Sequence, residues 1–424
     1  MKSLTTEEIR HKFMNFFLSH DHKFVEQSGI LPVNDPTLLF INSGMAPMKS
    51  FFLGKKQPPY HHLTNIQDCI RTVDIDDVGD SYHASSFRMM GSWSFGSYFK
   101  EKAIELAFEL ITQGFGFPVD RLYATVMRQD KSLPNVPADT ESAVIWEHFL
   151  PQDRIVWLPP QDNFWGPAGD SGPCGPCTEV FFDRGEEYGK GQEGILVKGR
   201  HIEIWNAGVF MQYNMNINRE IEPLPVKCVD TGAGLERFAM VLQGTTSIHN
   251  IDQYANAYSM IKSLITDERW TRIILDHLKT AVLMLREEIS PGNQRHEYVL
   301  RRLIRRALSG MYLRNVDMKI ALQFIQSLAE VIDNSKLTQS KMPSITNALQ
   351  IEIEQFQKVL RRAQKHFDIV LGNRQLTVET AFKMKTAHGI PEELIREFCQ
   401  EHSIEFPDKT FATLMEEHKN ISRK

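Results

Sequence analysis

The stretch Cys228-Val-Asp-Thr-Gly-Ala-Gly-Leu-Glu-Arg-Phe-Ala-Met-Val-Leu-Gln243 joins a strand pattern to a helix pattern. An apolar run ends at the polar Asp230, two glycine residues follow, and the helical pattern begins directly after them. Small residues at such a junction let an anionic ligand approach free backbone N–H groups, and Arg237 can pair with a phosphate. The carboxylate of Asp230 can pair with a substrate ammonium group. The junction therefore predicts a ligand site where a sheet meets a helix.

The chain before this junction has the texture of short strands. It opens with a helix pattern that Thr5 and Glu8 cap with a capping box. From about residue 27 onward, short apolar runs alternate with Pro, Gly, Asn and Asp, which is typical of strands and turns. Helices interrupt these runs, most clearly over 100–112, without the regular alternation of a doubly wound sheet. The sequence therefore predicts an α+β domain over residues 1–240.

After about residue 240 the chain reads as helical, which predicts an all-helical second domain over residues 241–424. Over Tyr298–Ser309, apolar residues at helical spacing form one face and arginine residues share the other, an arrangement that by itself is most often solvated surface. A later run with steps of four and three residues predicts a helix packed lengthwise on another helix. The arginine residues are Arg301, Arg302, Arg305 and Arg306, and the later run is Leu349, Ile353, Phe356, Leu360, Ala363 and Phe367.

The densest cluster of glycine, proline and cysteine runs from Asp162 to Glu179. Cys174 and Cys177 have the spacing of metal ligands, but a structural zinc site needs about four ligands and no second cysteine or histidine pair accompanies them. The glycine and proline content instead predicts a rigid irregular loop that approaches a ligand closely, with Trp165 as a pocket wall. A structural loop around a core tryptophan is the alternative.

A third segment begins with Asp68-Cys-Ile-Arg71, continues through an acidic loop and ends with His83-Ala-Ser-Ser-Phe-Arg-Met-Met-Gly91. It predicts two strands joined by a loop. Arg71 can hold a phosphate, and Phe87 can stack on a base. Because a lone arginine on a strand is usually a surface residue, this segment indicates a site only together with the other two.

Length and composition limit the class of protein. A chain of 424 residues with 42% hydrophobic and 24% charged side chains is globular and long enough for two domains or more. No apolar run reaches the roughly 18 residues of a spanning helix, and the start lacks a secretion-signal pattern, so we expect a cytoplasmic protein. Five cysteine residues argue against a disulfide framework. The net charge of −5 by itself argues weakly against a polyanionic partner.

Taken in their order along the chain, the three segments resemble the three motifs of the alanyl-tRNA synthetases, a family of class II aminoacyl-tRNA synthetases. Similar stretches occur along essentially the whole chain. They are Asn34-Asp-Pro-Thr-Leu-Leu-Phe-Ile-Asn-Ser-Gly-Met45, Phe52-Leu-Gly54, Cys69-Ile-Arg71, Gly91-Ser-Trp-Ser-Phe-Gly96, Asp162-Asn-Phe-Trp165, Gly172-Pro-Cys-Gly-Pro-Cys-Thr-Glu179, Glu203-Ile-Trp-Asn206, Val229-Asp-Thr-Gly232, Tyr298-Val-Leu-Arg-Arg-Leu-Ile-Arg-Arg306, Glu352-Ile-Glu-Gln-Phe356 and Thr380-Ala-Phe382.

The resemblance implies an antiparallel catalytic sheet flanked by helices, followed by a helical domain that recognises the tRNA acceptor stem. It implies that alanine reacts with ATP and Mg²⁺ to give an adenylate, whose acyl group passes to the 3′ end of tRNA. Such chemistry depends on positioning and charge stabilisation more than on a nucleophilic side chain. The resemblance implies two catalytic residues, Arg71 and Arg237, and it implies that both bind ATP together with His83, Phe87, Met89 and Gly234. It implies five alanine-binding residues, Trp165, Asn206, Val209, Asp230 and Gly232. Glu203 is the implied magnesium ligand, and no zinc is expected.

The arginine face falls where the family holds the acceptor stem. This favours RNA contact over solvated surface despite the net charge, because affinity depends on local pairing with phosphates. The family reads a G·U pair there, on base edges in the shallow minor groove of A-form RNA. The implied tRNA-binding residues are Asn293, Arg301, Arg302, Arg305, Arg306 and Glu393.

Several positions depart from the family pattern. Arg88 stands in Phe-Arg-Met where Phe-Glu-Met is usual, Ser97 replaces the Asp of Gly-Asp-Tyr-Phe, and Glu297 replaces the Gly of Arg-Gly-Tyr. Glu393 replaces an Asp, and the stretch 206–209 has one residue more than usual. These departures leave two alternatives open: a paralogue that delivers alanine or another small amino acid to a different acceptor or pathway, and a catalytically inactive RNA-binding protein.

The chain stops at Lys424, where the family usually continues into an editing domain with HxxxH and CxxxH zinc motifs. None of the fifteen histidine residues has another four positions away. We therefore expect aminoacylation without editing. Since an apolar pocket rejects an added hydroxyl poorly, some seryl-tRNA is expected unless a separate trans-editing protein acts.

Overall fold

The computed structural model describes residues 3–33, 35–191, 196–333 and 335–422. Asn34, the first residue of one family motif, lies outside them. The chain forms two compact units, residues 1–255 and 256–424. The domain assignments made from the sequence, 1–240 and 241–424, stay predictions.

Nine strands within the described residues form the sheet of the first unit, in the order β1-β2-β3-β9-β8-β7-β4-β5, with β6 paired to β7. All described pairs are antiparallel except β1–β2 and β4–β5. The predicted α+β class with an antiparallel catalytic-type sheet is confirmed. The strands are β1 (Lys23–Phe24), β2 (His62–Ile70), β3 (Ser86–Phe95), β4 (Leu122–Met127), β5 (Ile155–Leu158), β6 (Phe164–Trp165), β7 (Gly172–Asp183), β8 (His201–Met215) and β9 (Ile221–Gly234).

Helices flank this sheet. The first begins with the predicted capping box, in which the Thr5 hydroxyl accepts from the backbone N–H of Glu8 and the Glu8 carboxylate accepts from that of Thr5. Its buried face carries Ile9, Phe13 and Phe17. The helices are α1 (Thr6–Ser19), α2 (Lys49–Phe52), α3 (Lys100–Glu109), α4 (Thr140–Trp146), α5 (Pro160–Asn163) and α6 (Leu235–Gln243).

The central strands β3, β9 and β8 set the register of the site. Asp230 of β9 lies opposite Trp93 of β3 and Val209 of β8. Asn206 of β8 lies opposite Gly232, so three steps along β8 face two along β9. A β-bulge therefore absorbs the extra residue noted in the sequence at 206–209, because one additional residue in a strand must leave the ladder.

The second unit is helical, as predicted. The six apolar residues predicted for the lengthwise seam are all buried on its longest helix, α11. Among the described residues, none of the helices is long and apolar enough to cross a membrane. The helices are α7 (Ala255–Leu264), α8 (Glu268–Arg286), α9 (Arg295–Leu313), α10 (Met318–Ile332), α11 (Lys336–Asn373), α12 (Val378–Thr386), α13 (Glu392–Glu401) and α14 (Asp408–Ser422).

Candidate functional site

A pocket in the first unit opens where β3 and β9 meet the start of α6. It brings together every residue that the resemblance implied for ATP, although these come from three separate stretches of the chain. Glu203 and Gly232 also line it. The implied ATP residues in this wall are Arg71, His83, Phe87, Met89, Gly234 and Arg237.

Strand geometry explains the floor of this pocket. Phe87 and Met89 are two residues apart on β3, so both side chains leave the same face of the sheet. A Cβ built at Gly232 would lie 2.8 Å from the Met89 sulfur, so a side chain there would displace the Met89 side chain. The Arg71 guanidinium lies 4.9 Å from the centre of the Phe87 ring, and its Nε donates to the Asn42 carbonyl at 3.1 Å. An aromatic face and a cation thus lie side by side, as a nucleotide requires.

Two further basic residues at this pocket already have acidic partners. The Nδ1 atom of His83 lies 2.6 Å from a carboxylate oxygen of Asp80. Arg237 donates to the Glu203 carboxylate at 2.7 Å. These contacts hold the side chains of His83 and Arg237 at the pocket.

The residues around Glu203 fit a magnesium ion that takes most of its ligands from phosphate and water. Burial, followed by the charge of Glu203, raises the pKa of Glu179 well above its usual range. A divalent cation between Glu179 and Glu203 would favour the ionised form of Glu179 and offset the repulsion between the two groups. The part of the chain described contains no group of three or more His, Cys, Asp or Glu side chains placed to hold a metal by themselves.

The implied alanine-binding residues lie along β8 and β9, next to this pocket. Asp230 is 5% exposed, and its carboxylate accepts from the indole N–H of Trp93 at 2.7 Å. Burial raises the pKa of Asp230 to about 7, against the opposing effect of that hydrogen bond. Val209 and Asn206 pair across the strands with Asp230 and Gly232.

Trp165, the fifth implied alanine-binding residue, lies on the short strand β6. It packs against the apolar cluster that contains Val209. It also lines a second cavity together with Arg71 and Asn42. Trp165 therefore contacts the apolar cluster and also lines the cavity that Arg71 reaches.

Sequence reasoning missed several residues of the site. Trp93 was quoted as part of a motif but given no role, although it is the donor to Asp230. Asn42 carries a buried side-chain oxygen with no hydrogen-bond partner among the residues described. Glu236 and Tyr82 line the nucleotide pocket. Asn42 is a polar residue directly after the apolar run Leu38–Ile41, which was an available signal. For Trp93, only the pairing of β3 with β9 shows that it faces Asp230.

The interpretation of residues 162–179 as an irregular loop holds only for 166–171, because residues 162–163 end α5, residues 164–165 form β6 and residues 172–179 belong to β7. Gly172 to Asp183 form strand β7, which pairs with β4 and β8. Cys174 and Cys177 are buried in this strand rather than in a loop, on either side of a register shift. The glycine content reflects close strand packing, since a Cβ at Gly175 would lie 1.9 Å from the Phe210 carbonyl oxygen.

Arg88, the reversed charge in the second motif, pairs with the buried carboxylate of Glu236. Its Nε lies 3.4 Å from the Glu236 carboxylate, which also accepts from its backbone N–H at 3.1 Å. Asp68 lies directly opposite on β2. The cation is therefore compensated by the fold, and Glu236 ties β3 to the turn of α6 that carries Arg237.

A second cleft, in the helical unit, brings together all the residues implied for tRNA. Arg301 and Arg305 of α9 both bind one carboxylate, that of Glu352 on α11, at 3.2 and 2.6 Å. Glu352 is 2% exposed. The implied residues in this cleft are Asn293, Arg301, Arg302, Arg305, Arg306 and Glu393.

The arginine face is more buried and more paired than a solvated helix face. Arg302 donates to Glu393 at 3.1 Å. Arg306 is only 8% exposed, and its guanidinium lies 3.2 Å from His277 Nε2. A freely solvated face, the common alternative for such a pattern, does not describe these residues, because Glu352 of α11 and Glu393 of α13 fix the guanidinium groups.

Comparison with known proteins gives a consistent result. Residues 8–424 match the family model described as tRNA synthetases class II (A). The chain is 35% identical to an alanine--tRNA ligase of Borrelia hermsii, covering 99% of this chain and 73% of that protein. It is 34% identical to an alanine--tRNA ligase of Rubrobacter xylanophilus, covering 100% of this chain and 50% of that protein. A pyrrolysyl-tRNA synthetase structure from Desulfitobacterium hafniense aligns over 59% of this chain and 74% of that chain at a TM-score of 0.34 and 12% identity.

The pairing of Arg88 predicts that Arg88→Glu destabilises the first unit. The new carboxylate would lie beside Glu236 and Asp68, which we expect to cost about 2–4 kcal/mol of unfolding free energy. Adding Asp68→Lys to the same chain should restore part of the loss, as measured by chemical denaturation. The exposed Lys131→Glu is the control and should stay within about 0.5 kcal/mol. Equal stability of Arg88→Glu and the wild type would contradict the ion pair.

Proposed function

From the premise that this chain belongs to the class II tRNA synthetase (A) family, we propose that it activates alanine with ATP and passes the alanyl group to the 3′ end of tRNA(Ala). The observation that carries this proposal is the single pocket that combines Arg71, Phe87 and Arg237 with an adjoining buried Asp230. Such a site offers an aromatic surface to a base, cations to a triphosphate and a carboxylate to an ammonium group.

The first step joins the alanine carboxylate to the α-phosphate of ATP. A carboxylate oxygen attacks phosphorus, the bond to the bridging oxygen breaks, and pyrophosphate leaves. Arg71 is placed to stabilise the charge on the α-phosphate, and Arg237 binds the leaving phosphates. Mg²⁺, held through Glu203 when bound, supplies further neutralisation of phosphate charge. A side-chain nucleophile is not needed, because positioning and charge stabilisation supply the rate.

Alanine binds with its ammonium group at Asp230. Val209, Trp165 and Gly232 bound the space for the methyl group, and Asn206 lies across from Gly232. An apolar pocket of this kind distinguishes serine from alanine by only about a hundredfold. A separate trans-editing protein in the cytoplasm is therefore a proposed partner.

The arginine cleft of the second unit binds the tRNA acceptor stem. Glu352 and Glu393 hold three of its guanidinium groups in fixed orientations. Their remaining N–H donors therefore have defined directions for hydrogen bonds to a ligand. Fixed donors suit the phosphates and shallow minor groove of A-form RNA.

A paralogue with a different acceptor is the second candidate. The observation that favours it is the Arg302–Glu393 ion pair. Because Glu393, a residue implied for reading the tRNA, already pairs with Arg302, it is less available to a base pair of the acceptor stem. Amino-acid-dependent ATP–pyrophosphate exchange over a panel of small amino acids, followed by charging of tRNA with and without the acceptor G·U pair, separates the two. Exchange without charging supports the paralogue, and no exchange with any amino acid refutes both.

Asp230→Asn is expected to reduce alanine-dependent exchange by at least about a hundredfold, because a buried amide does not pair with an ammonium group in the same way. The exposed Asp120→Asn is the matched control and should leave exchange unchanged. Unaltered exchange in Asp230→Asn would refute the ammonium assignment.

The raised pKa of Asp230 predicts a pH effect on alanine use. With a pKa of about 7 in the free enzyme, the carboxylate that binds the ammonium group is lost as pH falls below 7. At pH 6 only about one molecule in ten carries it, so kcat/KM for alanine should be about tenfold below its plateau near pH 8. The KM for ATP over the same range is the internal control. A flat profile between pH 6 and 8 would contradict the assignment.

Arg305→Ala is expected to weaken tRNA binding at every salt concentration. Loss of one phosphate contact should reduce the slope of log K against log salt by about one. Binding is measured by fluorescence anisotropy of labelled tRNA over a salt series, with the exposed Arg361→Ala as the control. An unchanged slope would place Arg305 outside the RNA interface.

A further inference from the structure

The side chain of Lys49, at the start of α2, binds two other parts of the first unit. Its Nζ atom lies 2.9 Å from the Asp35 carboxylate and donates to the Ala168 carbonyl at 2.9 Å. Both charged side chains are only 17% exposed. Ala168 belongs to the segment 166–171, which follows Trp165 and connects β6 to β7. This segment is called the Trp165 loop below. One ammonium group therefore joins the Trp165 loop to the segment that begins at Asp35.

Asp35 is itself held in place. It accepts hydrogen bonds from the backbone N–H and hydroxyl of Thr37 at 3.0 and 2.5 Å. Burial opposes ionisation of Asp35, but the bonds from Thr37 and Lys49 outweigh it and lower its pKa. The carboxylate is thus a fixed anchor for Lys49 at neutral pH.

The Trp165 loop lies directly against this ion pair. A Cβ at Gly169 would lie 2.1 Å from the Thr37 hydroxyl oxygen, and one at Gly172 would lie 2.5 Å from Lys49 Cε. Both glycine residues also have positive φ, at +83° and +148°. Small residues therefore allow the loop backbone to approach the Asp35–Lys49 pair this closely.

The two segments joined by Lys49 are the walls of one cavity. Trp165 at the end of β6 and Ala168 of the Trp165 loop line it together with Leu38 and Asn42. Arg71, which serves the nucleotide pocket, reaches the same cavity. Trp165 itself pairs with Gly175 of β7, and the link that Lys49 makes fixes the segment that directly follows this tryptophan.

We propose that Lys49 is a positioning residue for the amino-acid substrate, whose contacts with Asp35 and the Ala168 carbonyl hold Trp165 at the wall of the alanine site. This inference rests on the proposed function, because it takes Trp165 as a wall of that site. Lys49 does not touch the nucleotide pocket. Its loss should therefore weaken binding of the amino acid and leave binding of ATP nearly intact.

The test is Lys49→Met, which keeps the length of the side chain and removes its charge. Losing a hydrogen-bonded charge at a partly buried site should raise the KM for alanine roughly tenfold, with less than a twofold change in the KM for ATP. Asp35→Asn should have a similar effect, and the double variant should be no worse than either single one, since both remove one link. The exposed Lys55→Met is the control. Lys49→Arg, which keeps the charge, should recover part of the alanine KM.

Hydrogen exchange supplies a readout that needs no activity. Amides of residues 166–171 should exchange faster in Lys49→Met, while those of β9 stay protected. Equal increases in both KM values together with a lower melting temperature would reduce Lys49 to a general structural residue and overturn the proposal. Unchanged alanine KM and unchanged loop exchange would overturn it as well. A wild type inert with every amino acid refutes the proposed function, whereas an active wild type with an unaltered Lys49→Met refutes this inference alone.

Discussion

The hydrogen bond from the Trp93 indole to the Asp230 carboxylate is the contact on which the arrangement of the first unit depends. A carboxylate buried in a central strand loses its hydration, which costs several kcal/mol unless donors and counter-charges replace it. Trp93 offsets part of that cost from the neighbouring strand and fixes β3 against β9 in one register. The desolvation that Trp93 does not offset raises the pKa of Asp230. A cationic ligand would stabilise the ionised form of this carboxylate.

This register also determines the phosphate end of the site. Once Trp93 faces Asp230, Met89 faces Gly234, and α6 starts directly beside the strand that carries Phe87. Glu236 then reaches back to Arg88, so the helix that carries Arg237 is tied to the aromatic floor. A one-residue slip would turn these side chains to the other face of the sheet. Amino-acid and nucleotide ends are thus set by the same pairing of β3 with β9.

In the helical unit, the main electrostatic constraint is the repulsion among the arginine residues of α9. Four arginine residues on two turns of one helix repel each other unless carboxylates lie between them. Glu352 takes Arg301 and Arg305, and Glu393 takes Arg302. The net charge of −5 says little about this surface, because it is a sum over the whole chain and the cleft concentrates one sign locally.

The sequence alone determined the α+β and helical halves, the capping box at Thr5, the seam on α11 and the set of residues that the nucleotide pocket and the arginine cleft bring together. The halves, the capping box and the seam depend on local periodicity and capping patterns, which a single stretch of chain contains. The two sets of site residues depend on the resemblance of several separate motifs to those of a known family. Tertiary structure decided that Cys174 and Cys177 lie in a strand, that Arg88 is neutralised by Glu236, that Trp93 serves Asp230 and that Lys49 joins two loops. Those contacts connect residues far apart in the chain, and which side chains meet there depends on strand order and register, which no single segment specifies.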